Sequence, residues 1–381
     1  GFINRLDYKE GGAGNSYGLA LNAPLGETAA LRGVGVLQNA PGLIDNVRRN
    51  QPDADSRRKW SGRGSLLWQP LERVKFGATW LKQQTHTDDV IYSTDPGGHY
   101  LAGNSPGPGD MRGGFSLGMI DARYDLGDLG ELVLQSSEQR KSLHMNADGK
   151  INGGTGLQLV RAVVDIGTLG HTHELRLVSP SDGDWGWILG AFVQNYSADV
   201  HVDLPVANTT TLADFPGNLL GALFPNGVPG ALLTENGLSL QTSQLSAKAG
   251  ERSLFGELTR KFGKGWEAAA GLRYYRTDLE GLIRTSGVAA ATYAAGSQRN
   301  IEQNNRGYSP RLSLKWNIDD GLMAYAAIAR GFQFGGVNAP PLLSAPQNNP
   351  VTGVPVPPSF RSSKLWSREL GLRSDWLQRT L

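Results

Sequence analysis

The chain has 381 residues, contains no cysteine and carries 37 Lys and Arg against 35 Asp and Glu, for a formal net charge of +2. The absence of cysteine excludes a disulfide framework and a thiolate metal site, and the dispersed charges do not indicate a nucleic-acid partner. No window of about eighteen apolar residues exists, so a transmembrane helix is excluded, whereas a membrane strand needs only about ten residues with every second one apolar.

Alternating segments recur along the chain after an ambiguous first fifteen residues, and they predict about thirteen β-strands. In chain order the predicted strands are Tyr17–Pro24, a segment through Leu31 and Val36, Trp60–Trp68, Arg73–Trp80, Phe115–Tyr124, Glu131–Leu143, His171–Pro180, Trp185–Val200, Ser253–Phe262, Trp266–Arg276, Arg311–Asn317, Met323–Phe332 and Leu365–Ser374. The cleanest alternation places Val74, Phe76, Ala78 and Trp80 together on one face.

The segment from Arg306 to Asn338 shows how these strands are joined. Polar residues at 311, 313, 315 and 317 alternate with Leu312, Leu314 and Trp316, which predicts a strand with one polar and one apolar face. Asp319-Asp320-Gly321 follows as a tight turn, because these residue types tolerate the left-handed backbone that a hairpin connection requires. The returning strand ends in a Gly-, Pro- and Asn-rich segment of roughly thirty residues, far longer than a usual connection.

Short turns and long connections alternate strictly along the predicted chain. The long connections are predicted at about 39–56, 86–112, 144–170, 201–250 and beyond Phe332. Aromatic residues lie close to the short turns, namely Trp68, Trp185, Phe262, Trp266, Trp316 and Trp376. Outer-membrane barrels have short periplasmic turns, long extracellular loops and aromatic belts, whereas a β-sandwich or propeller has no reason to sort its loops by length. The predicted fold class is therefore all-β, a transmembrane antiparallel up-and-down β-barrel; scattered core tryptophans are the alternative interpretation of the aromatics.

The connection predicted at 201–250 has an apolar middle, LADFPGNLLGALFPNGVPGALL. We interpret it as an ordered extracellular loop with short helical turns. The alternative is an amphipathic surface helix, which Pro216, Pro225 and Pro229 limit to about two turns.

Four stretches resemble the barrel of TonB-dependent outer-membrane receptors. They are YGLALNAPLGETAALRGVGV from Tyr17, HTHELRLVSPSDGDWGWILGAF from His171, SPRLSLKWNIDDGLMAYAAIARGFQFGGVN from Ser309 and LWSRELGLRS from Leu365. In that family a Pro-x-Leu strand start, a short turn, a Tyr-Ala strand closing on Gly-Phe-x-x-Gly-Gly-x-Asn and a later Glu-Leu-Gly-Leu-Arg/Lys-Ser recur in this order. The combination is much more specific than its pieces.

The resemblance implies a barrel of about 22 strands, of which residues 1–381 would form a partial barrel domain. An odd strand count, which cannot close such a barrel, also predicts a fragment. The N-terminal plug, its coupling box and the last strands would then lie outside this chain. A location in the bacterial outer membrane is implied.

The function that the resemblance implies is energised import of a scarce solute, most often a ferric siderophore or similar metal chelate. The expected partners are a TonB-type energy-coupling protein acting through the plug region, the chelate and outer-membrane lipid, with no nucleic acid. The alternatives are a passive porin or channel, an outer-membrane barrel enzyme and a secreted all-β carbohydrate-binding protein.

No catalytic constellation is present, so we predict no enzyme activity, no cofactor and no resident metal. His171 and His173 share one face of a strand and could bind a metal, but a solvated pair is the preferred interpretation. Glu174 and Arg176 share the opposite face and could form a lumenal pair.

The adjacent carboxylates Asp88-Asp89 and Asp319-Asp320 point to opposite sides of an extended chain, so they are predicted to be loop and turn residues rather than an acid and a base. Ligand recognition is expected at loop tips and at upper lumenal positions, because loops on a rigid scaffold carry function. Aromatic and hydrogen-bonding candidates that suit a flat or chelate-type solute are Tyr100, Arg112, Tyr196, Tyr293, Gln333, Phe334 and Asn338.

Overall fold

A computed structural model of the chain describes residues 1–9, 11–47, 49–89, 101–102, 108–153, 156–180, 183–205, 233–234, 237–286, 298–319, 321–338, 357 and 359–374. The strands, in chain order, are β1 (Phe2–Asp7), β2 (Ala13–Pro24), β3 (Ala29–Ala40), β4 (Asp45–Asn46), β5 (Arg57–Leu71), β6 (Val74–Thr87), β7 (Leu101–Ala102), β8 (Met111–Asp125), β9 (Glu131–Gly153), β10 (Gly156–Val178), β11 (Trp185–Pro205), β12 (Leu233–Thr234), β13 (Gly237–Phe262), β14 (Trp266–Ser286), β15 (Arg299–Asp319), β16 (Leu322–Gln333), β17 (Gly336–Val337), β18 (Ser359–Phe360) and β19 (Ser363–Ser374). A short 3₁₀ helix, Gly127–Leu129, lies between β8 and β9. Among the described residues no helix has the length and apolarity of a membrane-spanning helix.

The long strands form one antiparallel meander in which each strand pairs with the long strands before and after it in the chain. The order is β1-β2-β3-β5-β6-β8-β9-β10-β11-β13-β14-β15-β16-β19, and β12 adds a short pairing to β13. This is the up-and-down topology of a barrel wall, as predicted. Each of the thirteen predicted strands corresponds to one long strand, and β1 is the additional one.

Connections are sorted by length between the two rims of the sheet. One rim carries the short turns, at 25–28, 72–73, 126–130, 179–184, 263–265 and 320–321. The other rim carries the long connections, at 41–56, 88–110, 206–236, 287–298 and 334–362, together with the shorter 8–12 and 154–155. The sorting agrees with short periplasmic turns and long extracellular loops.

Two predicted long connections are wrong in extent. Residues 144–170 were expected to form a loop, but β9 and β10 run through them as one hairpin with continuous register from Val178↔Glu131 to Gly156↔Gly153. The connection predicted at 201–250 is shorter, because β11 continues to Pro205 and β13 begins at Gly237. Most of its apolar middle, and the predicted girdle residue Trp376, lie outside the described residues.

The two faces of the sheet differ in polarity through the half nearest the short turns. Directly paired residues share a face. One apolar row crosses ten strands through Ala29, Trp68, Phe76, Ala122, Leu134, Leu175, Ala191, Leu254, Tyr274 and Tyr308. The next row, on the other face, contains Lys75, Arg123, Val133, Arg176, Gly190, Phe255, Arg273 and Ser309.

We call the face with the apolar row the outward face and the opposite one the lumenal face. Phe76 and Trp80 are 38% and 53% exposed, so no second sheet or helix layer formed by the described residues covers them. Apolar side chains this exposed over a whole face suit contact with hydrocarbon, as predicted for the Val74 to Trp80 row.

In the half nearest the long connections, the polarity of β13–β15 is exchanged between the faces. The lumenal Leu279, Ile283 and Ile301 are buried, at 7%, 4% and 7% exposure. The outward Asp278 and Glu302 are exposed. This upper half therefore has water on the outside and packed protein on the inside.

Candidate functional site

A cationic and aromatic cluster lies on the lumenal face where β11, β13 and β14 pass from the lower to the upper half. Arg273 stands between two rings, with its guanidinium carbon 4.7 Å from the Phe192 centroid and 5.9 Å from that of Phe255. It also donates a hydrogen bond to the carboxylate of Glu251, whose side chain is only 6% exposed. A buried carboxylate needs such a partner because its desolvation is otherwise costly.

An aromatic stack adjoins this ion pair. Tyr275 is fully buried, and its ring stacks on Phe332 with centroids 3.6 Å apart and planes at 10°. Phe334 follows at 5.9 Å from Phe332. Gly307 lies opposite Tyr275 in the register, and a Cβ there would stand 2.5 Å from the tyrosine hydroxyl oxygen, so glycine makes room for the phenol.

Several polar atoms of this cluster are buried without a hydrogen-bond partner in the part of the chain that the structure describes. They are Ser253 Oγ, Arg273 Nε, Tyr275 Oη, Ser309 Oγ and Arg330 Nε. Buried polar groups are normally paired, so these atoms are exceptions whose hydrogen-bonding capacity is unused among the described residues. The cluster thus combines aromatic faces with a guanidinium that is paired with Glu251 and still 32% exposed, which suits a solute that presents aromatic rings.

A short hairpin of β17 and β18 folds over the lumenal face above the cluster. Asn305 Nδ2 donates to Ser362 Oγ at 2.6 Å, and Gln303 Nε2 donates to the Phe360 carbonyl at 3.2 Å. A Cβ at Gly281 would lie 2.7 Å from Val337 Cγ2, so the glycine admits this close approach. These contacts explain the burial of the apolar residues beneath the hairpin.

The structure brings three of the seven predicted ligand residues to this region. Gln333 Oε1 accepts from Ser363 Oγ at 3.3 Å, the Phe334 ring lies beside that of Phe332 at a tilt of 52°, and Asn338 Nδ2 donates to the Pro357 carbonyl at 2.8 Å. Tyr196 is on the same face, in a row of paired residues that ends at Gln303. These placements do not test ligand contact, which stays a prediction.

Of the remaining predicted ligand residues, only Arg112 lies in the described part of the chain. Arg112 begins β8 on the outward face, where it pairs in register with His86 and His144 and lies 3.3 Å from Asp110. It lines a groove of about 1060 Å³ at the top of that face. Tyr100 and Tyr293 lie outside the described residues. Arg112 is thus separated from the lumenal cluster by the wall itself.

The residues of the cluster that sequence reasoning missed are Phe192, Glu251, Arg273, Tyr275 and Phe332. Alternation alone assigns Arg273 and Tyr275 to the lumenal side, which was a usable signal. Their burial and mutual contacts depend on the register of strands far apart in the chain, which no local pattern specifies.

The histidine pair at the lower outward face has local partners. His171 Nε2 lies 2.9 Å from Glu138 Oε2, and His173 Nδ1 lies 2.9 Å from Ser136 Oγ. Within the described residues no group of three His, Asp or Glu side chains could hold a metal ion. On the opposite face Arg176 donates to Glu174 at 2.8 Å, which confirms the predicted lumenal pair.

Asp88 and Asp89 anchor the long connections above β6, as expected for loop residues. Asp88 accepts hydrogen bonds from Ser56 and Arg58, while Gly109 N donates to Asp89 at 2.6 Å. Burial alone would raise the pKa of Asp88, but the hydrogen bonds from Ser56 and Arg58 outweigh it and hold that pKa below its ordinary value of 3.8.

Comparison with known proteins gives one family and a group of solved structures. Residues 73–381 match the family described as TonB dependent receptor-like, beta-barrel. The ferric yersiniabactin uptake receptor FyuA of Yersinia pestis superposes with a TM-score of 0.70 at 16% identity, covering 95% of this chain and 50% of that one. The siderophore receptor PiuA of Acinetobacter baumannii gives 0.65 at 13% identity, covering 99% and 54%. The copper transporter OprC gives 0.61 at 14% identity, covering 98% and 50%.

These likenesses show a shared fold at low identity. The chain spans about half the length of the solved structures that it matches. The three proteins are receptors and a transporter rather than enzymes.

Proposed function

This chain belongs to the TonB-dependent receptor family of bacterial outer-membrane β-barrels, and from that premise we propose that it forms part of an active-transport receptor. The solute would be a ferric siderophore or a similar metal chelate, bound from the extracellular side and imported with energy from a TonB-type protein. The partial barrel domain of residues 1–381 would supply the wall, and a plug region outside it would make the contact with the TonB-type protein.

The lumenal cluster carries the proposal. Arg273 between Phe192 and Phe255 offers a cation with two aromatic faces, and the Tyr275–Phe332 stack extends the aromatic surface toward Phe334. Ferric chelates of catecholate type carry negative charge and present planar aromatic rings at their edges, so they match such a surface by stacking and by contact with the part of the guanidinium that is exposed. Two of the similar proteins are a ferric yersiniabactin uptake receptor and a siderophore receptor, which supports this class for the present chain.

Uptake of radioactive iron by cells that produce the full-length receptor tests the proposal. We expect saturable uptake of at least one ferric chelate in a panel of catecholates, hydroxamates and carboxylates, and loss of that uptake when the TonB-type protein is inactivated. Phe334→Ala should raise KM at least about fivefold, because it removes an aromatic contact worth on the order of 1 kcal/mol. Tyr308→Ala, on the outward face, is the matched control and should leave KM unchanged.

A passive channel predicts different kinetics. Uptake that rises in proportion to chelate concentration and continues without the TonB-type protein would contradict energised import. A saturable, energised uptake that Phe334→Ala leaves unaltered would instead place the ligand away from the lumenal cluster.

A further inference from the structure

Three arginines stand side by side on the outward face of β13, β14 and β15. The register pairs Arg252 directly with Arg276, and Arg276 directly with Arg306. All three are exposed. Because directly paired residues share a face, the three guanidinium groups form one row across neighbouring strands.

Such a row is electrostatically unfavourable by itself, because like charges directly opposite each other destabilise a sheet. Among the described residues, no carboxylate lies within ion-pairing distance of these three guanidinium groups. Asp278 is on the same face one row higher, but its carboxylate lies over Gly250, where a Cβ would be 2.8 Å from Oδ2. The three guanidinium groups therefore have no anionic partner among the described residues and are free to bind an external anion.

Further acidic residues stand still higher on the outward face. Lys248, Glu280 and Glu302 form the row above Asp278, on the side away from the arginines. The arginines therefore occupy the boundary between this mixed-charge region and the apolar face below.

Aromatic residues give the depth of this boundary in the membrane. Below the arginines lie Tyr274 and Tyr308, whose rings are 5.2 Å apart. Near the short turns a second belt is formed by Trp266 and Trp316, 5.0 Å apart and nearly parallel. Trp266 and Tyr274 are eight residues apart on β14, which at about 3.3 Å per residue and a tilt of about 40° spans roughly 20 Å of depth.

These two belts match the aromatic girdles at the edges of an apolar band about 25 Å tall. The arginine row therefore lies just outside the band, on the side of the long connections. This is the headgroup layer of the outer leaflet.

We propose that Arg252, Arg276 and Arg306 form a binding row for the phosphate groups of phosphorylated lipid in the outer leaflet. A guanidinium binds a phosphate through two parallel hydrogen bonds, and a lipid with more than one phosphate can engage neighbouring arginines. Binding relieves the repulsion between the paired arginines and leaves the acyl chains beside the apolar rows below.

Retention of lipid by the purified full-length receptor tests this site. The receptor is placed in phosphatidylcholine nanodiscs doped with lipid A, a bis-phosphorylated glucosamine lipid, and the lipids that remain bound are counted by native mass spectrometry. The R252Q/R276Q/R306Q variant should retain about 10- to 100-fold less lipid A than the wild type, if each arginine near an anionic surface contributes a comparable share.

A matched control removes the same charge from the lumenal face, with the substitutions Arg32→Gln, Arg63→Gln and Arg311→Gln. This control should retain lipid A like the wild type. Dephosphorylated lipid A supplies a comparison that needs no variant, and the wild type should retain it as weakly as the outward-face variant retains lipid A.

Three outcomes would overturn the proposal. Equal retention of lipid A by the outward-face variant and the wild type would exclude the arginine row. Equal retention of the phosphorylated and dephosphorylated lipids would exclude phosphate as the recognised group. Displacement of lipid A by millimolar inorganic phosphate would show a free-anion site instead of a lipid site.

Discussion

Strands β13–β15 cross two environments, and their lower and upper halves carry apolar residues on opposite faces. In the lower half, Leu254 and Leu272 point outward at 64% and 51% exposure, while Arg273 and Glu257 point into the lumen. In the upper half, Leu279 and Ile283 point inward and are buried, while Asp278 and Glu280 point outward. Alternation continues through both halves, but the apolar residues move from one face to the other.

The exchange follows from what each face touches. Hydrocarbon surrounds the lower outward face, and every backbone polar group there must be paired within the sheet. Above the apolar band the outward face meets water. The lumenal face there is covered by the β17–β18 hairpin, through the close approach of Val337 to Gly281 and the hydrogen bond from Asn305 to Ser362. The position of the exchange therefore marks the outer edge of the membrane.

The strongest test of this boundary places one charge at two heights on the same face of β13. Leu258→Arg lies within the apolar band and should lower the free energy of unfolding from lipid vesicles by about 2–4 kcal/mol. Gln244→Arg lies on the outward face of the upper half and should change it by less than about 0.5 kcal/mol. Urea titration of the protein in vesicles measures both, and similar costs would show that the boundary is misplaced.

A second test addresses the lumenal face at the level where burial begins. Glu251→Ala leaves Arg273 without its carboxylate partner and should lower the free energy of unfolding by about 2–3 kcal/mol. This loss is smaller than for a fully buried pair because Arg273 is 32% exposed. Glu257→Ala on the same strand and face removes only a 3.9 Å contact with Arg311 and should cost under about 1 kcal/mol. The same urea titration applies, and equal losses would refute the distinction between the two levels.

Packing beneath the hairpin gives a third test. Ile301→Ala should lower the free energy of unfolding by about 2 kcal/mol. This is the low end for a buried isoleucine, since only a small hairpin covers the side chain. Its neighbour Glu302 points outward, and Glu302→Ala should be neutral within about 0.5 kcal/mol. Hydrogen exchange should quicken at Gly336–Val337 and Ser359–Phe360 in the first variant alone; unaltered exchange there would mean that Ile301 does not support the hairpin.

The smallest expected effect is a pH dependence at the top of β6. Because hydrogen bonds from Ser56 and Arg58 hold the pKa of Asp88 below 3.8, its contribution is present above that value and is lost as pH falls through the lower folded pKa. Limited proteolysis of residues 49–56 should therefore increase only below about pH 4, and Asp88→Asn should show the increase at neutral pH. The exposed Asp7 is the control, and Asp7→Asn showing the same increase would contradict this role for Asp88.

The sequence predicted the lower wall well and the upper wall poorly, for one physical reason. In the lower half, apolar residues occupy every second position from Trp266 to Tyr274. The strand β14 was therefore predicted correctly from its first residue after the turn. The predicted strand ended at Arg276, where the apolar residues change from one face to the other, although the observed strand continues to Ser286. Residues 144–170 were also interpreted as a loop, whereas β9 and β10 form a long hairpin there.

Some residues of the candidate site could be predicted from the sequence and others could not. Gln333, Phe334 and Asn338 were predicted because they follow a strand end beside a long connection, and that position can be recognised from the sequence. Arg273 and Tyr275 have ordinary lumenal positions in the pattern. Their importance comes from Glu251 and Phe332, which reach them from other strands.

By itself the sequence determined that the chain is an antiparallel wall with short turns at one rim and an apolar outward face, because two-residue periodicity and turn chemistry are local properties. Only the tertiary structure decided which residues meet across strands: the buried Glu251–Arg273 pair, the Tyr275–Phe332 stack and the row of three arginines. Those contacts depend on strand register, and register is set by the whole sheet rather than by any one segment of it.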